Sequence, residues 1–335
     1  MMTFTERAPI EKGFAEIFER EIAPELETIE TERQELLKKA RLHAGIPLGV
    51  AALLALWALL GGDSWEGRLV GAVVALAFGG VVAFFLWRRQ AGRWGSRLSE
   101  TVMPAVCRFL GDLDHDKGAR KRFPLDRIQG LGLIGSFNRS HLEDRLEGRY
   151  RDTGFELVEA HLRQRTQSSN EDNDSRTRTV FKGLLMRISV PEPMSTDIFI
   201  TQELGSIGNK LGEMLSFGTG RSMPRVEFDH PDFESAFAVY ADDPQAAREI
   251  MPPGFLDTLL SIAEAEGGRK GTSGLRAGFQ DDAFYLALER DDSFIEMGAL
   301  TRPVHDIEDD LHGVFEDLAL VRRIIDRLHG DAPTV

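Results

Sequence analysis

Two stretches near the N-terminus contain no charged residue. The first is AGIPLGVAALLALWALL, from Ala44 to Leu60, and the second is LVGAVVALAFGGVVAFFLW, from Leu69 to Trp87. As a helix the first covers about 26 Å, close to the roughly 30 Å hydrocarbon core of a bilayer, and the second slightly more. A core helix of a soluble protein keeps a polar face, and neither run has one. The expectation is a transmembrane helical hairpin over residues 44–87, turned by the short linker Gly61–Arg68. Trp57, Trp65 and Trp87 fall near the run ends, at headgroup level. The first run begins after a long charged stretch with no small-residue cleavage site, which argues against a cleavable leader. Lys38, Lys39 and Arg41 precede the first run, and Arg88, Arg89, Arg93 and Arg97 follow the second, whereas the linker holds only Arg68. Positive charge stays inside, so both termini are expected to be cytoplasmic, in a bacterial inner membrane.

Polar segments with apolar stripes flank the runs. Phe14, Phe18, Ile22, Ile29 and Leu36 recur at helical spacing before the first; Leu98, Val102, Val106, Phe109 and Leu113 do so after the second. Two such helices can bury their stripes against each other as a cytoplasmic stalk. Pro24 and Pro104 mark expected kinks at one level of the two arms, and Pro47 is placed in the first turn of its helix, where a missing N–H costs little.

After a break at Gly118–Lys121 the period changes. Glu143–Thr166 reads as a hairpin turning at Asp152-Thr153-Gly154, and Val180–Val190 as a third strand. Ile198–Thr201 and Arg225–Phe228 read as short strands. A helix starts at Pro244 with an aspartate cap, and another runs from Pro253 to about Glu266. Leu275–Gln280 and Ala283–Glu289 pair across Asp281-Asp282, and a last helix runs from about His305 to His329, acidic at its start and basic at its end. The fold class is α+β: a transmembrane hairpin with a helical stalk, then a mixed strand and helix soluble domain. The expected boundaries are 1–43 for the cytoplasmic amphipathic helix, 44–87 for the hairpin, 88–119 for the stalk helix and 120–335 for the cytoplasmic domain.

The formal net charge of −14, from 54 acidic and 40 basic residues, repels phosphate backbones and argues against nucleic acid binding. The single cysteine, Cys107, rules out a disulfide within the chain and is read as a buried structural thiol.

Several blocks resemble a bacterial membrane-protein family, domain of unknown function 3137. They are EDRLEGRYRDTGFELVEAHL (Glu143–Leu162), TVFKGLLMRISVP (Thr179–Pro191), PDFESAFAVYADDPQAAREIMPPGFLDTLLSI (Pro231–Ile262) and AGFQDDAFYLALE (Ala277–Glu289). The resemblance runs from about Phe14 to Leu300 and leaves out the C-terminal helix. It implies topology and domain content but transfers no functional residue.

Candidate sites are few. Gly130-x-Gly132-x-x-Gly135 spells a dinucleotide pattern, but a hairpin follows where a helix is needed, so it is read as a linker. His305, Asp309 and His312 share one helical face and are the best metal candidates in the chain, though solvated helix-start residues are commoner. Asp112, Asp114, His115 and Asp116 lack calcium-loop spacing, and Asp229, His230 and Asp232 are read as turn formers. No nucleophile elbow, Walker loop or His-Glu-x-x-His pair occurs. No cofactor, metal or catalytic residue is assigned. Within Gly205–Arg225, the apolar residues Leu211, Met214, Leu215 and Phe217 are the candidates for partner or lipid contact. The expected function is a membrane-anchored interaction or scaffold module whose partners are the bilayer and another membrane or cytoplasmic protein. The alternatives are a membrane-bound, hydrolase-like enzyme, or a subunit of a larger membrane complex, homo-oligomers included.

Overall fold

The computed structural model describes residues 2–61, 64–111, 113–166, 176–190, 192–202, 223–267, 274–291, 293–295 and 297–330. The chain divides into two compact units. The first is Met1–Arg7, Glu11–Val106 and Glu296–His312; the second is Ala8–Ile10, Cys107–Ile295 and Gly313–Val335.

The first unit is built on two long helices. A short helix α1 (Phe14–Ile17) passes through a π-helical turn, Phe18–Ile22, into α2 (Ala23–Gly61). Pro24 lacks the N–H an α-helix needs, and a π turn just upstream is one way to absorb that loss. Helix α3 runs unbroken from Trp65 to Gly111 through Pro104. Pro47 is not in a first turn but lies well inside α2, because the polar stripe and the apolar run form one helix. Phe14, Phe18, Ile22 and Ile29 are buried as the stripe predicts, and Leu98, Val102 and Val106 on α3 are buried likewise. Arg97 on α3 reaches Glu32 on α2 at 3.2 Å.

Further pieces of sequence complete this unit. Arg33 is buried, pairs with Glu30 at 2.6 Å and donates to the Leu300 carbonyl at 2.8 Å. Glu30 also accepts from the Val304 N–H. Gly298 has φ +58 and lies against Leu98, where a Cβ would clash. Phe4 packs edge-on against Phe14 and lies 4.7 Å from the His312 ring.

The second unit is one nine-stranded antiparallel sheet with helices on its faces. In chain order its strands are β1 (Asp114–Asp116), β2 (Arg139–Tyr150), β3 (Thr153–Thr166), β4 (Arg176–Ser189), β5 (Ile198–Gln202), β6 (Arg225–Val226), β7 (Phe237–Ala241), β8 (Gly274–Gln280) and β9 (Ala283–Glu289). Their order across the sheet is β1-β2-β3-β4-β9-β8-β5-β7-β6. The β2–β3 hairpin turns on Arg151 and Asp152, φ 49° and 62°, one residue earlier than the sequence suggests. Two left-handed residues give a turn whose twist matches the strands. Gly183, φ +145, lies so close to the Leu288 carbonyl that no side chain fits.

Helix α4 (Leu125–Leu131) covers one face, burying Ile128 and Leu131 with Val158, Leu185 and Tyr285. It ends within the stretch read as a linker. Gly130 lies inside it, and Gly132, φ 92, is its left-handed C-cap. On the other face Phe255 of α7 (Pro253–Gly267) meets Phe279 and Phe284. Helices α5 (Pro231–Ala236) and α6 (Pro244–Ile250) precede it. Asp243 caps α6 as the sequence suggests, accepting from the N–H groups of Gln245 and Ala246. Helix α8 (Glu308–Leu328) buries Leu311, Phe315, Leu318, Val321 and Ile325. The architecture is α+β, with long N-terminal helices ahead of an antiparallel sheet.

Candidate membrane interface

Helices α2 and α3 are each long and apolar enough to cross a membrane: their most apolar stretches have mean hydropathies of 2.0 and 2.6 and are only 11% and 17% buried. All large hydrophobic side chains that stand exposed among the described residues lie between Leu42 and Phe85. They include Leu53 at 69%, Trp57 at 74% and Phe78 at 72% exposure. In water such a surface is far larger than a soluble monomer tolerates. Continuous helix is one of the two backbone forms that can cross hydrocarbon, because its hydrogen bonds are made within the segment.

The residues that are buried within the runs are small. Ala51 and Ala55 on α2, and Ala72, Gly79 and Ala83 on α3, form the inner faces. A Cβ on Gly79 would run into the Ala51 methyl and stand 3.0 Å from the Pro47 carbonyl; one on Gly71 would lie 3.3 Å from Ala58. Close backbone approach of this kind is how small residues pack membrane helices. Gly71 and Gly79 on α3 therefore pack against α2 within the hairpin. Gly45 and Gly49 on α2 make no such contact, since nothing lies within 4 Å of where their Cβ atoms would stand. Past the apolar runs the polar contacts resume. Gln90 Nε2 lies 3.4 Å from His43 Nδ1, and Arg88, Arg89, Arg93, Lys38, Lys39 and Arg41 are exposed.

The three residues of the metal candidate do not converge. His305 is exposed beside Asp306; Asp309 faces Arg7 at 3.1 Å. His312 is buried, with Nδ1 2.7 Å from Glu11 Oε1. Among the described residues no group of three His, Cys, Asp or Glu side chains could hold a metal ion. His115 lies on β1 and pairs at 3.1 Å with Asp144, which sits at the bulge of β2. His230, read from the sequence as a turn former, is the N-cap of α5: its Nδ1 accepts from the Phe233 N–H, and its Nε2 lies 3.0 Å from Asp257. Burial, then Asp114, pushes the Cys107 thiol up to about 12. The Arg33 hydrogen bond holds the Glu30 carboxyl down to about 2. Burial pushes Glu159 up, although its carboxylate accepts from the Phe294 N–H. Leu211, Met214, Leu215 and Phe217 lie outside the described residues.

Residues 179–329 match the family model described as "Protein of unknown function (DUF3137)". The DUF3137 segment runs from within β4 to the end of α8. It includes the C-terminal helix that the sequence resemblance left out, and it does not include Glu143–Leu162 or the two long helices. Among solved structures, the crystal structure of the mycobacterial trehalose monomycolate transport factor A, TtfA, is 9% identical over 63% of this chain and 87% of that chain, with a TM-score of 0.30. A likeness of that size carries no argument for fold or function here. No curated protein matches.

Proposed function

We propose that this chain is a membrane-anchored interaction module. The hairpin of α2 and α3 lies in a bacterial inner membrane with both chain ends on the cytoplasmic side, and the sheet unit that carries the DUF3137 segment binds another protein there. One observation supports the anchor above the rest: among the described residues the exposed large hydrophobic side chains are confined to Leu42–Phe85. Lipid is the solvent that makes such a surface favourable. The cations flanking the two runs, against a single arginine in the linker, support the orientation. The test is proximity labelling from a tag on the C-terminus in the native host. Labelling of cytoplasmic proteins and recovery of one reproducible partner support the reading. Labelling confined to the opposite compartment, or a partner list matching that of an unrelated hairpin anchor, counts against it.

Gly45 and Gly49 favour a second reading, a subunit of a larger membrane complex, because their open face lets another backbone approach. Native mass spectrometry in detergent that shows only monomer removes it.

A further inference from the structure

Within the second unit a cleft of about 440 Å³ opens between the segment after β1 and the start of β2. Its floor is apolar: Phe123, Leu125, Phe137 and Leu142, all resting on the core beneath α4. Its polar lining carries three cations, Arg120, Lys121 and Arg122, against one carboxylate, Asp126, and the amide of Gln129.

The three cations are not equally engaged. Lys121 is held by Asp114 at 2.6 Å and by Glu147 at 3.2 Å. Arg120 and Arg122 have their nearest carboxylates, Asp116 and Asp126, only at 3.8 Å, and their side chains are 89% and 87% exposed. Asp116 is already occupied, accepting from the N–H groups of Gly118 and Arg120. Ion pairs so long and so exposed contribute about 0–1 kcal/mol, so an incoming anion displaces little. Two guanidinium forks thus stand at the mouth of an apolar floor, in a chain whose formal net charge is −14.

We propose that this cleft binds a single-chain anionic lipid, its carboxylate or phosphate head held by Arg120 and Arg122 and its hydrocarbon chain laid over Phe137 and Leu142. The charge sign selects the head, because planar guanidinium forks match those oxygen pairs bidentately. The size selects one chain: clefts for small ligands run to roughly 300–1,000 Å³, and this one is at the lower end.

The experiment uses the full chain in phosphatidylcholine nanodiscs and a palmitate probe bearing a photoreactive diazirine, with adducts mapped by peptide mass spectrometry. Adducts on peptides spanning residues 119–142 are expected. The Arg120→Glu, Arg122→Glu double variant should reduce them about tenfold, the loss of roughly 1.4 kcal/mol of charge-assisted binding. A hexadecanol probe of the same length should label the cleft about tenfold less than palmitate. Inorganic phosphate should not compete, and lysophosphatidate should. A third variant, Phe137→Ser, tests the floor independently of charge, with circular dichroism of each variant verifying the fold. Adducts confined to the apolar runs, equal labelling by the alcohol, or insensitivity to both rim and floor variants would overturn the proposal. Displacement by an acidic peptide but not by lysophosphatidate would overturn it in favour of a protein ligand.

Discussion

At the scale of single residues, buried charge is handled by pairing. Arg290 and Asp317 are both buried and joined by two parallel hydrogen bonds, at 2.7 and 3.0 Å. Breaking a buried pair by removing one member typically costs about 3–5 kcal/mol. Arg290→Met should therefore lower stability by that order, while the Arg290→Met, Asp317→Leu pair should recover most of it in a thermal melt of the full chain. Glu30 responds to pH with a defined sign. Its carboxyl is held at about 2 against an ordinary 4.5, so its contribution is whole above pH 4.5 and is lost as pH falls towards 2. The stability difference between the wild type and Glu30→Gln should shrink as pH falls across that window. Cys107, pushed up to about 12, remains a thiol at pH 8. It should resist iodoacetamide in the folded chain and react once the chain is denatured. Its burial was legible in the sequence from the apolar residues around it. The Glu11–His312 contact was not, since 301 residues separate the partners and no local pattern records that.

At the scale of elements, the legible pieces are those with a strong local cause. The Asp243 cap, the Asp281-Asp282 turn and the strand alternation from Ala283 to Glu289 each follow from neighbouring residues. Helix α4 escaped because seven residues give too few periods and its glycines read as a linker. Strand β7 escaped because it begins directly where α5 ends, with no turn residues between. In the hairpin, Gly79 and Gly80 are adjacent but not equivalent. Gly79 meets Ala51 and the Pro47 carbonyl, whereas Gly80 has nothing within 4 Å. Gly79→Leu should cost about 1–3 kcal/mol through overpacking and Gly80→Leu little, read as shifts in thermal unfolding of the full chain in detergent micelles.

At the scale of the whole molecule, the two apolar runs were the clearest signal because a bilayer demands hydrophobicity on all sides of a helix, and that can be counted along the chain. The sheet order was hidden because β4 finds its partner in β9, and β5 lies between β7 and β8. Such pairings are set by the packed core and not by adjacent residues. In the membrane-anchored reading, lipid solvates α2 and α3 around Leu53 and Val74. Single cysteines placed by Leu53→Cys, Val74→Cys and Ser64→Cys in a Cys107→Ala chain, reconstituted in vesicles and exposed to a water-soluble maleimide, test it directly. The linker site at Ser64 should be labelled from one side, while the Leu53 and Val74 sites stay unlabelled until the chain is denatured in detergent. Labelling of Leu53 and Val74 in intact vesicles at the Ser64 rate would contradict it.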